Sequence, residues 1–243
     1  MARLHRIYLN QDIELQQSIR LPEDAGHYLS RVLRARTGQL VVVFNGNGLD
    51  FKAEIESLDR GNVILRILDK QPVNTESPLK ITLVQAISRG ERMDVTLQKA
   101  TELGVLAFKP VFTTRTEVRL TEKKIQKRML HWKKVIISAS EQCGRGRIPA
   151  LSQPVDVMTW AQQKTDLTRI MLVPGADAKL SSVLPVTKLE LLIGPEGGLD
   201  EKEVELLGRQ DIIPVSLGPR ILRTETAGPA ATAMLQAMAG DMG

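Results

Sequence analysis

The 243-residue chain is 42% hydrophobic and 25% charged and holds one cysteine, Cys143, so it can bury a sizeable core but has no internal disulfide framework. No run approaches the ~18 uninterrupted apolar residues of a membrane span, and the opening MARLHRIYLN lacks the apolar region of a secretion signal. The net charge of +5 is uneven: residues 109–147 carry 11 basic and 3 acidic side chains, a local +8 that either solvates a lysine-rich helix or attracts a polyanion.

Residues 1–72 read as a small β-rich module. LVVVF (40–44) and VILRIL (63–68) are strand-like, DFKAEI (50–55) alternates as a half-buried strand does, and NGNG (45–48) and DRGN (59–62) supply turns. PEDAGHYLSRVLR (22–34) breaks this pattern. Its leading proline, first-turn acids and apolar spacing near ~3.6 predict a short helix. QPVNTESP (71–78), two prolines among polar residues, predicts a linker and the domain boundary.

Beyond the linker, strands and helices alternate. LKITLVQA (79–86) predicts a strand, GERMDVTLQKATELG (90–104) a helix and VLAFKPVF (105–112) a strand. Residues 121–142 predict a long helix with Ile125, Met129, Trp132, Ile136 and Ala139 on one face. TRIMLV (168–173) and LELLI (189–193) follow as strands, then LDEKEVELLGRQ (199–210) as a helix, DIIPVSL (211–217) as a strand and ETAGPAATAMLQAMA (225–239) as a helix. Such alternation implies an α/β fold with a parallel sheet covered on both faces.

Three of these strands run into glycine- or proline-containing loops: LVPG (172–175), IGPEGG (193–198) and LGPRILRTETA (217–227). Ligands of open α/β sheets bind beyond the carboxyl ends of the strands. Glycine lets the backbone approach a ligand closely and proline stiffens the loop beforehand. Each loop is also ordinary punctuation, and Glu196 is either a ligand contact or a cap for the helix that follows. GxGxxG after a first strand, GxxxxGK[ST], HExxH and GxSxG are absent, and His5, His27 and His131 are scattered. That argues against phosphate-loop, metal and serine-hydrolase chemistry. Cys143 in SASEQCGRGR (138–147) reads as a small hydrophobe, while Arg145 and Arg147 carry the basic segment into a loop suited to phosphates.

ISRGERMDVTLQKATELGV (87–105), SEQCGR (140–145), LLIGPEGGL (191–199) and LGPRILRTETA (217–227), with RIY (6–8) and SRVLR (30–34), resemble in order the RsmE family of 16S ribosomal RNA (uracil-N3)-methyltransferases. The resemblance implies a PUA-like β-barrel RNA-binding domain at 1–72 and a SPOUT methyltransferase domain at 73–243 with a C-terminal trefoil knot. It implies S-adenosyl-L-methionine as cofactor and N3 of uridine 1498 in the 16S RNA of the small ribosomal subunit as target. It further implies a cytoplasmic homodimer with its active sites at the subunit interface, engaging no metal, DNA or membrane. Carried over, the cofactor contacts are Leu172, Val173 and Pro174, then Gly194, Glu196 and Gly197, then Leu217, Gly218, Ile221 and Leu222.

Methylation at N3 requires removal of a proton and stabilisation of charge on the uracil oxygens. Glu225 is the candidate for the first task, with helix capping as its alternative, and Arg223 for the second. Glu141 and Arg145 would join them from the partner subunit. RNA would meet Arg6, Arg31, Arg34, Lys123, Lys127 and Arg147, by phosphates and shape rather than a stacking platform, since aromatics are only 3%. Rival readings are a non-catalytic RNA-binding assembly factor and another knotted RNA methyltransferase.

Overall fold

The first 72 residues form five strands, β1 (Arg6–Tyr8), β2 (Ser18–Arg20), β3 (Leu40–Phe44), β4 (Leu49–Asp59) and β5 (Asn62–Pro72), of which the longer three follow period-two alternation. The computed structural model describes residues 4–59, 61–118 and 121–243; Arg60 of the expected DRGN turn lies outside them. The strands form one sheet ordered β1-β3-β4-β5-β2, antiparallel except for β1 against β3. Alternate residues Val41, Val43, Phe51, Ala53, Ile55, Val63, Leu65 and Ile67 form its core. Register shifts at Lys52/Ala53 and Ile55/Ser57 bend the long β4–β5 ribbon.

The helix expected over 22–34 is present but changes pitch. After Pro22, α1 (Glu23–His27) gives way to one π-helical turn at Tyr28–Val32. A Cβ on Gly26 would stand 2.2 Å from the Gly61 carbonyl oxygen, so only glycine fits where this helix meets the turn before β5.

Contacts divide the chain into two compact units, Met1–Glu76 with Ser140–Ile148, and Ser77–Ala139 with Pro149–Gly243. A linear division leaves out the return of 140–148 to the first unit. Glu141 accepts the Tyr8 N–H at 2.8 Å, Arg145 Nε donates to Glu76 at 3.1 Å, and the Gly48 N–H donates to Gly146 O at 3.1 Å. These side-chain and backbone pairings are invisible to periodicity.

After the first five strands the elements are β6 (Lys80–Ala86), α2 (Arg92–Glu102), β7 (Ala107–Phe112), α3 (Glu122–Cys143), whose last turn belongs to the first unit, β8 (Ala150–Leu151), β9 (Val155–Asp156), α4 (Val157–Ala161), β10 (Thr168–Leu172), β11 (Lys188–Ile193), α5 (Glu201–Gly208), β12 (Ile213–Val215) and α6 (Thr224–Ala239). The sheet runs β12-β10-β11-β6-β7-β8, every pair parallel, with β9 also on β7. Val84, Met171 and Leu192 pack with Trp160 of α4 and Leu207 of α5. On the opposite face, Leu83 and Ile193 approach Gly228 of α6 closely enough that a Cβ there would touch both. Along α3, Trp132, Ile136 and Ala139 are buried as their spacing predicts, and Ile125 and Met129 are half-buried.

A charge sits inside this sheet. Glu190 of β11, 1% exposed, accepts from Lys109 Nζ at 2.7 Å, Arg169 Nε at 2.8 Å and Trp160 Nε1 at 2.9 Å. The Arg169 guanidinium lies 4.8 Å from the Trp160 ring centroid and donates to Ala161 O. Burial opposes ionisation of Glu190, but the hydrogen bond and charge of Lys109, then the charge and hydrogen bond of Arg169, outweigh it and hold the carboxyl below the usual range. The folded carboxyl therefore binds its proton less tightly than the unfolded one. Its contribution is complete above the unfolded value of about 4.3 and is lost as pH falls through the folded value beneath it. Glu190→Gln should cost about 3 kcal/mol near neutral pH. In urea unfolding, the gap between wild type and variant should narrow as the pH falls below about 4.3.

Candidate active site

At the carboxyl ends of β10, β11 and β12 the three expected loops come together. After β10 the chain turns through Val173–Gly175, where Gly175 has φ of +80°. After β11 the loop doubles back: the Gly198 N–H donates to Pro195 O at 2.9 Å. A Cβ on Gly194 would stand 3.0 Å from Leu199 N, which is why glycine occupies that position. The loop after β12 leads into α6.

Together they wall a cleft of about 490 Å³, within the ~300–1,000 Å³ of small-molecule sites. Leu172, Val173 and Pro174 line it from the first loop, Gly194, Glu196 and Gly197 from the second, and Leu217, Gly218, Ile221 and Leu222 from the third. Most side chains on this lining are apolar, and Ile221 is 83% exposed at it.

Sequence reasoning missed the residues that hold the loops in place. Arg115, in the turn after β7, lines the cleft; its Nη1 donates to Gly197 O at 2.9 Å and its Nη2 to Asp200 at 3.1 Å. The neighbouring Thr114 N–H donates to Glu203 at 2.9 Å. Thr224, the first residue of α6, donates its hydroxyl to Gly194 O at 2.7 Å and accepts from Gln85 Nε2 at 3.0 Å. TTRTE (113–117) matches no motif and Thr224 is one polar residue in a polar stretch, so neither stands out in the sequence.

The cap of α5 is Asp200. It accepts the Lys202 N–H, and Glu203 reaches back to the Asp200 N–H, completing a capping box. Glu196 does not cap. Its Oε1 accepts the Arg89 N–H at 2.8 Å and Arg92 Nη1 at 3.1 Å. Burial opposes ionisation of Glu196, yet hydrogen bonds from the Arg89 and Glu196 N–H groups and the charges of Arg92 and Arg89 hold its carboxyl below the usual range.

Glu225 is the second residue of α6, not its cap; Arg223 holds the N-cap position without a side-chain cap bond and is exposed. Glu225 Oε1 lies 3.6 Å from Arg92 Nε, and Oε2 is buried with no hydrogen-bond partner among the described residues.

Other expected site residues lie in the first unit. Arg6 has a side chain only 5% exposed, pairs with Asp50 at 2.7 Å and donates to Arg145 O at 3.0 Å, so its guanidinium is shut away from phosphates. The Arg145 side chain is 4% exposed and bound to Glu76. Both are interior residues of that unit, each guanidinium already paired with a carboxylate there. Glu141 is held by the Tyr8 N–H; burial pushes its carboxyl up, against that bond and the Arg6 charge. Arg31, Arg34 and Arg147 of this unit and Lys123 and Lys127 on α3 are exposed. Among the described residues no group of three His, Cys, Asp or Glu is placed to hold a metal, and no helix is long and apolar enough to cross a membrane.

A family model described as an RNA methyltransferase domain matches residues 75–236, and one described as an RNA methyltransferase PUA domain matches residues 21–68. The chain is 36% identical over 243 residues to ribosomal RNA small subunit methyltransferase E of Buchnera aphidicola subsp. Schizaphis graminum, covering 99% of this chain and 98% of that one. The chain belongs to the ribosomal RNA small subunit methyltransferase E family. The Bacillus subtilis methyltransferase E is 30% identical, with 89% of each chain covered. Among solved structures, a Legionella pneumophila methyltransferase in complex with the cofactor SAM matches at a TM-score of 0.96 and 40% identity, covering 99% of this chain and 100% of that one. The methyltransferase E of Neisseria gonorrhoeae bound to S-adenosyl methionine matches at 0.92 and 35%, with the same coverage.

Within this methyltransferase E fold, cap and cleft residues separate experimentally. Asp200→Ala should lose about 1 kcal/mol of stability, an N-cap's ordinary worth. Glu196→Gln, whose amide oxygen still accepts the Arg89 N–H, should lose less than half as much; thermal unfolding of both variants checks this.

Proposed function

We propose that this protein transfers a methyl group from S-adenosyl-L-methionine to N3 of one uridine in the 16S RNA of the small ribosomal subunit. The observation that carries the reading is the cleft at three adjacent strand ends, in a chain whose relatives are solved with that cofactor.

The lining suits the group. Leu172, Leu217 and Leu222 offer apolar contact to a flat base. The glycine loops offer backbone donors and acceptors, and no phosphate is present in the cofactor to require a phosphate loop. The Glu196 carboxylate suits ribose hydroxyls or an ammonium, and its Oε1 bonds to Arg89 and Arg92 keep it in place. When bound, the cofactor supplies an electrophilic methyl on a sulfonium.

The chain's own residues then serve the acceptor. Glu225 takes the N3 proton at its unpartnered Oε2, and Arg223, exposed at the start of α6, balances the negative charge that develops on the uracil oxygens. Holding donor and acceptor at near-attack distance supplies much of the remaining rate.

The wider arrangement belongs to the same proposal. Residues 1–72 act as the PUA-like RNA-binding domain and 73–243 as the SPOUT domain. Arg31, Arg34, Lys123, Lys127 and Arg147, all exposed, meet phosphates. A trefoil knot is supported by the chain path: β12 lies at the sheet edge beyond β10, yet α6 directly after it returns to pack on β6 and β11. A homodimer is supported by the exposed apolar Met234 and Met238 of α6 and Val95 of α2. In this reading the protein works in the cytoplasm, with neither DNA nor a membrane as partner.

Methyl transfer to small subunits from cells lacking this activity tests the reading. Arg223→Ala and Glu225→Gln should each lower kcat by about 100-fold or more while cofactor affinity, measured by calorimetry, stays unchanged. Near-full turnover in both would remove these assignments, and failure of the wild type to bind cofactor would favour a non-catalytic RNA-binding factor.

A further inference from the structure

Arg92, at the first position of α2, reaches two carboxylates on different elements. Its Nη1 donates to Glu196 Oε1 at 3.1 Å, and its Nε lies 3.6 Å from Glu225 Oε1. Glu196 stands on the loop after β11 and lines the cleft; Glu225 stands in the first turn of α6, beyond the loop after β12. Among the described residues no other ion pair involves Glu225. A guanidinium is a rigid planar fork; here it hydrogen-bonds Glu196 and attracts Glu225 by charge at 3.6 Å, so one side chain relates the positions of both carboxylates. A lysine ammonium is a single point on a flexible stem and cannot span the two in the same way.

The pairing also distinguishes the two oxygens of Glu225. Oε1 faces Arg92, whereas Oε2 is buried and lacks a donor. Buried carboxylate oxygens ordinarily find a partner, and one left without is suited to an incoming N–H. Arg92 has no place in the cofactor cleft lining, so its part is played through the two glutamates rather than by contact with the lining's ligand.

We propose that Arg92 is a positioning residue that ties the cofactor loop to the proton acceptor, holding Glu225 by one oxygen so that the other is presented to the N3 proton of the uridine. The inference rests on the reading above, in which Glu225 accepts that proton. It makes Arg92 act on turnover through Glu225 and ties the placement of the acceptor to the loop that carries Glu196.

The test is a double-mutant cycle on the full-length protein with small subunits as substrate and S-adenosyl-L-methionine as donor. Thermal unfolding and cofactor titration run in parallel for each variant. Arg92→Lys should fold normally, keep the KM for small subunits and lose about 100-fold in kcat, the cost of a misplaced reacting group. Arg92→Met should match it, because what matters is the fork and not the charge alone. In the Glu225→Gln background, Arg92→Lys should cost little more, since the group it positions is gone. A lysine variant with wild-type kcat overturns the inference, as does a loss that is equally large in the Glu225→Gln background. A lysine variant whose loss lies wholly in cofactor affinity or stability also overturns it, by making Arg92 a loop anchor only. Wild-type turnover in Glu225→Gln itself sinks the underlying assignment of the proton acceptor, an outcome distinct from additivity in the cycle.

Discussion

A single buried hydroxyl joins the parts of the site. Thr224 Oγ1 donates to Gly194 O and accepts from Gln85, so β6, the loop after β11 and the start of α6 meet at one atom. A hydroxyl has one donor hydrogen and is directional, and in a buried setting neither bond is readily exchanged for water. The residues on either side, Arg223 and Glu225, are therefore placed relative to the glycine loop by a constraint local to the backbone. Arg115 on Gly197 O and the capping box at Asp200 then hold the far side of that loop. The cleft thus acquires its walls from hydrogen bonds among loops, while the apolar sheet beneath supplies only a level floor.

Three carboxylates show how local surroundings set their roles. Glu190 is buried deep in the sheet and stays ionised because Lys109 and Arg169 converge on it, an arrangement that organises strands and helix α4. Glu196 is also held ionised, but by backbone N–H groups and arginines at the edge of an open cleft. At Glu141 the Tyr8 N–H and the Arg6 charge oppose burial, and burial prevails. The same side chain serves as a structural ion, a cleft wall and a packed interior group, according to which donors the fold brings to it.

Much of the architecture was legible from pattern. The strands at 40–44 and 189–193, the long helix beginning near residue 121 and the three loops at strand ends needed only alternation, helical spacing and glycine placement. All ten residues expected to meet a cofactor lie on one cleft, because strands running parallel necessarily put their carboxyl ends on the same side. The short strands at 6–8, 18–20, 150–151 and 155–156 were not legible: two or three residues carry no period and exist only because a neighbouring strand offers hydrogen bonds. The π-helical turn at 28–32 was hidden for a different reason, since side-chain spacing in a ten-residue stretch does not separate one pitch from another.

For charged residues the two levels part most clearly. Composition shows that Arg6, Arg145, Arg92 and Arg115 are cations, and by itself determined the basic segment, the α/β grammar and the loops. Which cation faces solvent and which is spent on an interior partner was decided only when distant segments met: Arg6 with Asp50, Arg145 with Glu76, Arg115 with Gly197 and Asp200, Arg92 with Glu196 and Glu225. Those partners are 44, 69, 82 and more residues apart. Local pattern records how a segment folds onto its own period, but an ion pair across such separations depends on where the sheet order places each strand end, and that is a property of the tertiary structure alone.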